Sequence, residues 1–379
     1  MGPLSGVKVI EMAGLAPGPY AAMLLADLGA EVLRIDRPDA PEAKPGAKPN
    51  LVHRNRRAIA LDIKSKEGLS TLRRLIASSD ALIEGFRPGV MERLGVGPEE
   101  CIKANPKLVY GRVTGWGQDG PLAQAAGHDV NYIALTGALH SLGTRDEIAV
   151  PLNLIGDFAS GGMLLAFGVV CALLEAMKSG KGQVVDTAMV DGAISLMTYI
   201  HGFRAAGQWS DIRGENILDG GASHFYGVYR TKDGRHISVA SAEPKFYAEL
   251  LRRTGLDNDP DLPSQLDRTK WPMMRQRLAA IFATKTRDEW CALMEGTDAC
   301  FAPVLTLQES IDHPHNRARE AFVEIDGVMQ PAPVPRFSRS VPAKPHGPLP
   351  SGINTKDTLQ GWGFSADEVE ALQAVRAVL

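Results

Sequence analysis

Several protein classes are excluded by what the sequence lacks. Its four cysteines, Cys101, Cys171, Cys291 and Cys300, form no CxxC pair and have no histidine at zinc-ligand spacing beside them. Neither a disulfide scaffold nor a zinc site is expected, and the thiols are read as reduced and structural. His313 and His315 stand as HPH, where the intervening proline suits a turn better than a metal site. No metal is expected. Neither sign of charge dominates, since 41 Lys+Arg face 44 Asp+Glu for a net charge of −3. That removes any global attraction for nucleic acid or for an anionic membrane surface, so an anionic ligand must be held by a local cation cluster. The N-terminus shows no basic head followed by an apolar run, the pattern of a signal peptide. The most apolar stretch, residues 163–174, falls short of the ~20 residues that span a bilayer. It is expected as a buried helix without membrane insertion, and the protein as cytoplasmic. There are no internal repeats.

What the chain does contain is an alternation of strand and helix signals. At 379 residues it exceeds the ~100–200 of a typical domain, so two domains are expected. VKVIEM (7–12) reads as a buried strand, followed by a Gly/Pro turn, a helix over 20–28 and a strand over 31–35, a βαβ opening to an α/β fold. Asp36 ends the second strand where a ribose-binding acid stands in nicotinamide enzymes. The intervening turn, however, is Gly14-Leu15-Ala16-Pro17-Gly18-Pro19, not GxGxxG, and its prolines remove amides that a pyrophosphate needs. Further strands are predicted over 58–63, 81–84, 108–114 and 183–188, and helices over 66–78, 160–177 and 189–206. Near Gly214 the texture changes to short strands over 225–240 with a Lys232-Asp233-Gly234 turn, then helices over 243–253, 271–282 and 286–296, a smaller α+β domain. Residues 331–352 are Pro-rich and suit an extended connector. A last helix over 365–377 carries a capping-box pattern, Ser365 with Glu368.

Two groups of residues suggest chemistry. Arg34, Arg37, the run His53-Arg54-Asn55-Arg56-Arg57 and Lys64 make the first half cationic around its strand ends. This is either a solvated basic face or a cradle for a phosphate-rich ligand. The 127–162 stretch holds His128 and Asp157, each in a Gly-flanked turn, with Asp157 placed directly before an apolar helix. Acid and base side chains beside a helix N-terminus suit enolate or acyl chemistry. On spacing alone, His128 is equally a hydrogen-bonded turn histidine, Asp157 a helix cap, and Asp129 a residue that pins the turn.

The opening PLSGVKVIEMAGLAPGPYAAMLLADLGAEVLRID, the NRR…ALDIKS block, IEGFRPGVMERLG and GKGQVVDTAM occur in order, and through them the chain resembles family III CoA transferases along essentially its whole length. The resemblance implies a Rossmann-like large domain completed by the C-terminal segment, a smaller α+β domain, and an interlocked homodimer. The corresponding divisions are a large CoA-binding domain over 1–188, a linker helix over 189–224, a small domain over 225–305, and a return connector with C-terminal helix over 306–379. Within the family, GHDVNY, NLIGDF and AEPKFY resemble the α-methylacyl-CoA racemase branch. The acid of the GD motif is shared with true transferases, whereas the histidine of GHD is not usual in them. His128 is therefore the residue that separates the branches.

The resemblance implies catalytic roles for His128, Asp157 and Glu243. Glu243 would orient the His128 imidazole from its own or the partner chain, though a Glu before Pro at a helix start is equally a charge on the helix dipole. It also implies a CoA site of Arg37, Leu61, Asp62, Ile63, Lys64, Gly85, Phe86, Arg87, Pro88, Gly89, Arg93, Gly127, Asp129, Val130, Asn131 and Tyr132. No cofactor is implied, because CoA is part of the substrate and the thioester acidifies its own α-carbon. The expected reaction inverts the α-carbon of a 2-methylacyl-CoA through an enolate. The alternatives are CoA transfer between carboxylic acids through an acyl-Asp157, and non-catalytic binding of acyl-CoA. The Met-bearing helix beginning at Met189 suggests an adaptable wall for bulky acyl tails.

Overall fold

The computed structural model describes residues 1–39 and 50–379. The chain divides into two compact units. One comprises Met1–Thr136, Leu152–Leu196 and Glu320–Leu379, the other Gly137–Pro151 and Met197–Arg319. The first unit is built on six strands, β1 (Lys8–Met12), β2 (Glu31–Asp36), β3 (Arg57–Ala60), β4 (Ala81–Glu84), β5 (Val109–Thr114) and β6 (Val184–Ala188). They lie in the order β3-β2-β1-β4-β5-β6, and every pairing is parallel. β1, β4 and β5 are near-continuous buried runs, as strands covered on both faces must be.

Side chains alternate between the two faces along each strand. Ile10, Leu33, Ile59, Leu82 and Tyr110 share a core with the helix Lys66–Ala77 and with Leu359, Trp362, Phe364, Val369 and Val378. On the other face Val9, Val32, Ile83 and Val109 pack under the helices Gly18–Asp27 and Leu164–Ser179. The end of the chain is thus part of the first unit. Leu61 bridges Val378, and the Leu379 N–H donates to the Ala60 carbonyl at 3.0 Å. The last helix, Ala366–Ala374, carries the capping box that its sequence predicts.

The second unit holds a three-stranded antiparallel sheet of β7 (Tyr226–Arg230), β8 (His236–Ala240) and β9 (Phe301–Pro303). Its helices Pro244–Thr254, Trp271–Phe282 and Arg287–Met294 close over Phe225, Tyr229, Trp271, Phe282 and Trp290. The Pro-rich return begins with a hairpin, β10 (Phe322–Ile325) and β11 (Val328–Pro331), which was not expected there.

The units are divided at other points than the sequence suggests. The helix expected over 189–206 breaks at Met197 into Met189–Leu196 and Thr198–Ala205, and the unit boundary falls at the break. The Gly137–Pro151 segment, expected within the large domain, belongs to the second unit. The Arg213 guanidinium there donates to the carbonyls of His140 (3.0 Å), Arg145 (3.3 Å) and Thr144. The apolar 163–174 stretch is part of one helical run, Leu154–Ser179, which is long and apolar enough by length and composition to cross a membrane. It is buried along one side only: Leu165, Ala166, Val169, Ala172 and Ala176 face the sheet, while Met163, Phe167, Leu174 and Met177 are exposed.

Candidate active site

The strand order reverses between β1 and β4, and open α/β sheets bind ligands at the carboxyl ends of the strands near such a reversal. Along that edge β3 is followed by Lys64, β2 by Arg37 and β4 by Arg87, all exposed. β5, beside β4, leads into the loop that carries His128. From β3 to β5 is four strand spacings, roughly 19 Å. Cations therefore line this edge from β3 to β4, and Arg87 after β4 stands near Tyr132, beside the proton-transfer residues.

The His128 loop is shaped by two glycines. A Cβ on Gly115 would fall within the Tyr132 ring, and one on Gly127 would lie 2.7 Å from it. Tyr132 packs edge-to-face on Trp116 with centroids 4.8 Å apart, and its hydroxyl donates to the Gly127 carbonyl. This places His128, in extended backbone, as N-cap of the helix Asp129–Ala134. Asn131 Oδ1 accepts the His128 N–H at 3.0 Å, and the imidazole lies exposed.

After Thr136 the chain passes through the second unit and returns at Leu152. Asp157 was expected just ahead of a helix; instead it lies within the first turn. The helix starts at Leu154 after the N-cap Asn153, runs as a π-helix to Met163 and continues as α-helix to Ser179. In a π-helix each amide reaches back five residues, so the amides ahead of Phe158 have no partner within it. Close approaches hold this segment: a Cβ on Gly161 would meet Pro17 at 2.7 Å, and one on Gly156 would meet Asp129 Oδ2 at 2.6 Å.

The Asp157 carboxylate accepts from Asn153 Nδ2 at 3.1 Å, not from the backbone amides expected of a cap. Its own N–H donates to Asp129 Oδ2 at 2.7 Å. Asp129, expected to pin its own turn, thus pins the returning segment. The Asp157 pKa lies above the usual carboxylate range. Burial is the main cause and the charge of Asp129 adds to it, against the opposing effects of the Asn153 hydrogen bond and of His128. His128 and Asp157, 29 positions apart in number, are near enough for their charges to interact.

Not all of the basic run serves a ligand. Arg54 and Arg56 are buried and consumed by internal pairs. Arg54 Nη2 meets Asp27 at 2.5 Å, and Arg56 Nη1 meets Glu11 at 2.5 Å. Arg34 pairs with Asp36 at 2.6 Å. These side chains form neither a solvated basic face nor a phosphate cradle. Arg37, by contrast, has 76% of its side chain exposed and, among the described residues, makes a long contact to Asp39 at 3.7 Å. Leu61 is buried, Asp62 and Ile63 are half-buried, and Asp62 Oδ1 accepts the Lys64 N–H at 3.1 Å, which sets the turn after β3.

The 85–89 loop after β4 is shaped by a pair that sequence reasoning missed. Glu84 accepts the Phe86 N–H at 2.7 Å and the Arg112 Nε at 2.7 Å, and Arg112 also reaches Glu92 at 2.7 Å. An arginine inside the buried strand VYGRVT was the available signal, since a buried cation demands an anion. Pro88 is buried, Gly89 has the left-handed φ of +83° that favours glycine, and Arg93 is exposed one turn later. Val130 is half-buried and Asn131 exposed on the His128 helix.

Glu243 belongs to the second unit, whereas His128, Asp157 and the residues of the implied CoA site belong to the first. It is the exposed N-cap of Pro244–Thr254 and makes no side-chain capping bond. Gln265 Nε2 clamps the carbonyls of Ser241 and Ala242 just before it, at 3.0 and 2.9 Å. Met189 is buried in the first unit, while Met197 begins the second unit's Met197–Arg319 segment. Among the described residues no group of three or more His, Cys, Asp or Glu is placed to hold a metal ion.

A parallel six-stranded sheet with cations and acid–base side chains along its carboxyl edge is the setting of a CoA-handling enzyme. The pattern of CoA-transferase family III matches residues 4–352, and the chain belongs to that family. It is 45% identical to the α-methylacyl-CoA racemase of Mus musculus over 99% of this chain and 97% of that protein. It is 42% identical to the α-methylacyl-CoA racemase of Homo sapiens over the same shares. A crystal structure of a CaiB/BaiF family protein from Brucella suis has the same fold, with a TM-score of 0.81, 23% identity and coverage of 95% of this chain and 99% of that one.

Proposed function

We propose that the chain is an α-methylacyl-CoA racemase. The observation that carries the reading is His128 and Asp157 standing close enough for their charges to interact, at a strand edge lined with exposed cations. In this reading Arg37, Lys64, Arg87 and Arg93 hold the CoA phosphates, and the thioester lies beside β5. The His128 imidazole removes the α-hydrogen as a proton from one face, and the C–H electron pair moves to the thioester oxygen as an enolate. The protonated Asp157 then returns a proton to the opposite face. Exchange with water resets both groups, and the other enantiomer is processed with the roles reversed. The raised pKa of Asp157 suits this alternation, because a carboxyl that keeps its proton nearer to neutrality can act as acid as well as base. The amides of residues 154–156, which have no partner within the helix, supply donors for the enolate oxygen, a contact worth about 2.7–4 kcal/mol in comparable sites.

The working form in this proposal is a homodimer. A helix joined to a sheet along one side does not cross a bilayer alone, and its exposed stripe of Met163, Phe167, Leu174 and Met177 is suited to burial against a second chain. Glu243, in its own or the partner chain's site, would then orient His128. Incubation of a 2-methylacyl-CoA in heavy water tests the reading. Deuterium enters the α-carbon with loss of optical purity if it holds, and no exchange across a panel of such esters overturns it. A CoA transferase would instead form an acyl-Asp157 that hydroxylamine intercepts and would tolerate His128→Ala.

A further inference from the structure

Asp129 directly follows His128, and its carboxylate has two distinct oxygens. Oδ2 accepts the backbone N–H of Asp157 at 2.7 Å, while Oδ1 is buried with no hydrogen-bond partner among the described residues. Gly156 is packed so tightly on this carboxylate that a Cβ there would stand 2.6 Å from Oδ2 and 2.8 Å from Cγ. A buried carboxylate oxygen left unpaired costs free energy that a structural turn would avoid by using a serine or asparagine. The chain between the two proton-transfer residues runs through the second unit, and within the first unit this hydrogen bond ties the two segments together beside both residues.

We propose that Asp129 is a positioning residue for proton transfer: by accepting the Asp157 backbone N–H and packing on Gly156 it fixes the separation of His128 and Asp157 and places a carboxylate beside the Asp157 side chain. This rests on the racemase reading above and names a residue through which that reaction is tuned. The groups that face Asp157 are His128, Asp129 and Tyr132, with Asn153 as the neutral donor and Arg87 near Tyr132. Tyr20 packs on the neighbouring Phe158. Of these, Asp129 is the anion that holds Asp157 toward its protonated form, and Asp129→Asn removes that charge while keeping an oxygen to accept the amide.

The test is α-proton exchange in heavy water from each enantiomer, as a function of pH, for the wild type, Asp129→Asn and Asp129→Ala, with CoA affinity and melting temperature measured in parallel. Asp129→Asn is expected to move the limb due to Asp157 to lower pH for both enantiomers. Asp129→Ala, which also loses the tether, is expected to lower exchange at saturating substrate by roughly 10- to 100-fold. A wild type that exchanges while Asp129→Asn gives a superimposable pH profile overturns the proposal. So does full activity in Asp129→Ala. If Asp129→Ala does not fold, the isosteric Asn variant decides alone. A wild type that exchanges no α-hydrogen defeats the racemase reading instead, and this inference falls with it.

Discussion

Arg56→Ala is the most informative perturbation of the fold. The Arg56 guanidinium donates to Glu11 at 2.5 Å and to the Pro19 carbonyl at 3.1 Å, and neither charged side chain reaches solvent. Two opposite charges about 4 Å apart attract by about 4 kcal/mol at an effective dielectric of 20. Breaking a buried pair by removing one partner costs about 3–5 kcal/mol. For a unit of this size that is a fall of roughly 6–20 °C in Tm.

The loss should depend on pH. Burial already raises the Glu11 pKa against the lowering effect of Arg56. Without Arg56, the folded-state pKa rises further above the unfolded value, so the native state binds the extra proton. Stability is then highest below the unfolded pKa of about 4.3 and is lost as pH climbs through the folded pKa. Urea titrations of Arg56→Ala at pH 5 and pH 8 measure this, and the deficit should be larger at pH 8. The double variant Glu11→Leu with Arg56→Met should regain most of the loss, because an apolar pair replaces a costly ionic one. The reasoning is refuted if Arg56→Ala melts within 2 °C of wild type, or if the double variant is no better than the single.

Asp157→Asn should lower α-proton exchange by about 10²- to 10⁴-fold while CoA still binds, which calorimetry against turnover will separate. Arg93→Ala and Arg87→Ala should each weaken CoA binding about 5-fold with kcat largely kept, an effect that shrinks as salt rises; an unchanged Kd at low salt would remove these residues from the phosphate site. Gly115→Ala should displace the Tyr132 ring and so loosen the His128 loop, costing roughly 1–3 kcal/mol in a denaturation assay together with activity. A stable, fully active variant would contradict that packing account.

The parallel sheet was legible because buried strands such as VIEM and ALIE carry their own signature, and the Ser365 capping box was legible because both of its partners lie within one turn. Other features depend on distant partners. Nothing in the run His53-Arg54-Asn55-Arg56-Arg57 distinguishes an arginine that faces water from one that meets Glu11 or Asp27 inside the unit. The placement of Gly137–Pro151 follows from Arg213, about 70 positions away, and could not be read locally. His128 and Asp157 were picked out by residue type and flanking glycine, but the start of the helix at Leu154 was not, since a helix that begins with LIGD has no conventional cap signal. Asp129 was misjudged for the same reason: its partner is the backbone of residue 157, and backbone leaves no mark on a sequence.

A π-helix differs from an α-helix by the wider spacing of its hydrogen bonds, so shortening the Leu154–Met163 segment by one residue favours return to the α register. Each residue of helical register turns a side chain by about 100°. Removal of one residue between Asp157 and Met163 would leave every named side chain in place along the chain, yet swing Asp157 out of reach of the Asp129 carboxylate. The acid–base geometry is therefore encoded in chain length as well as in residue identity. Among relatives, an insertion or deletion in this one helical turn would be as strong a sign of altered chemistry as the loss of His128 itself.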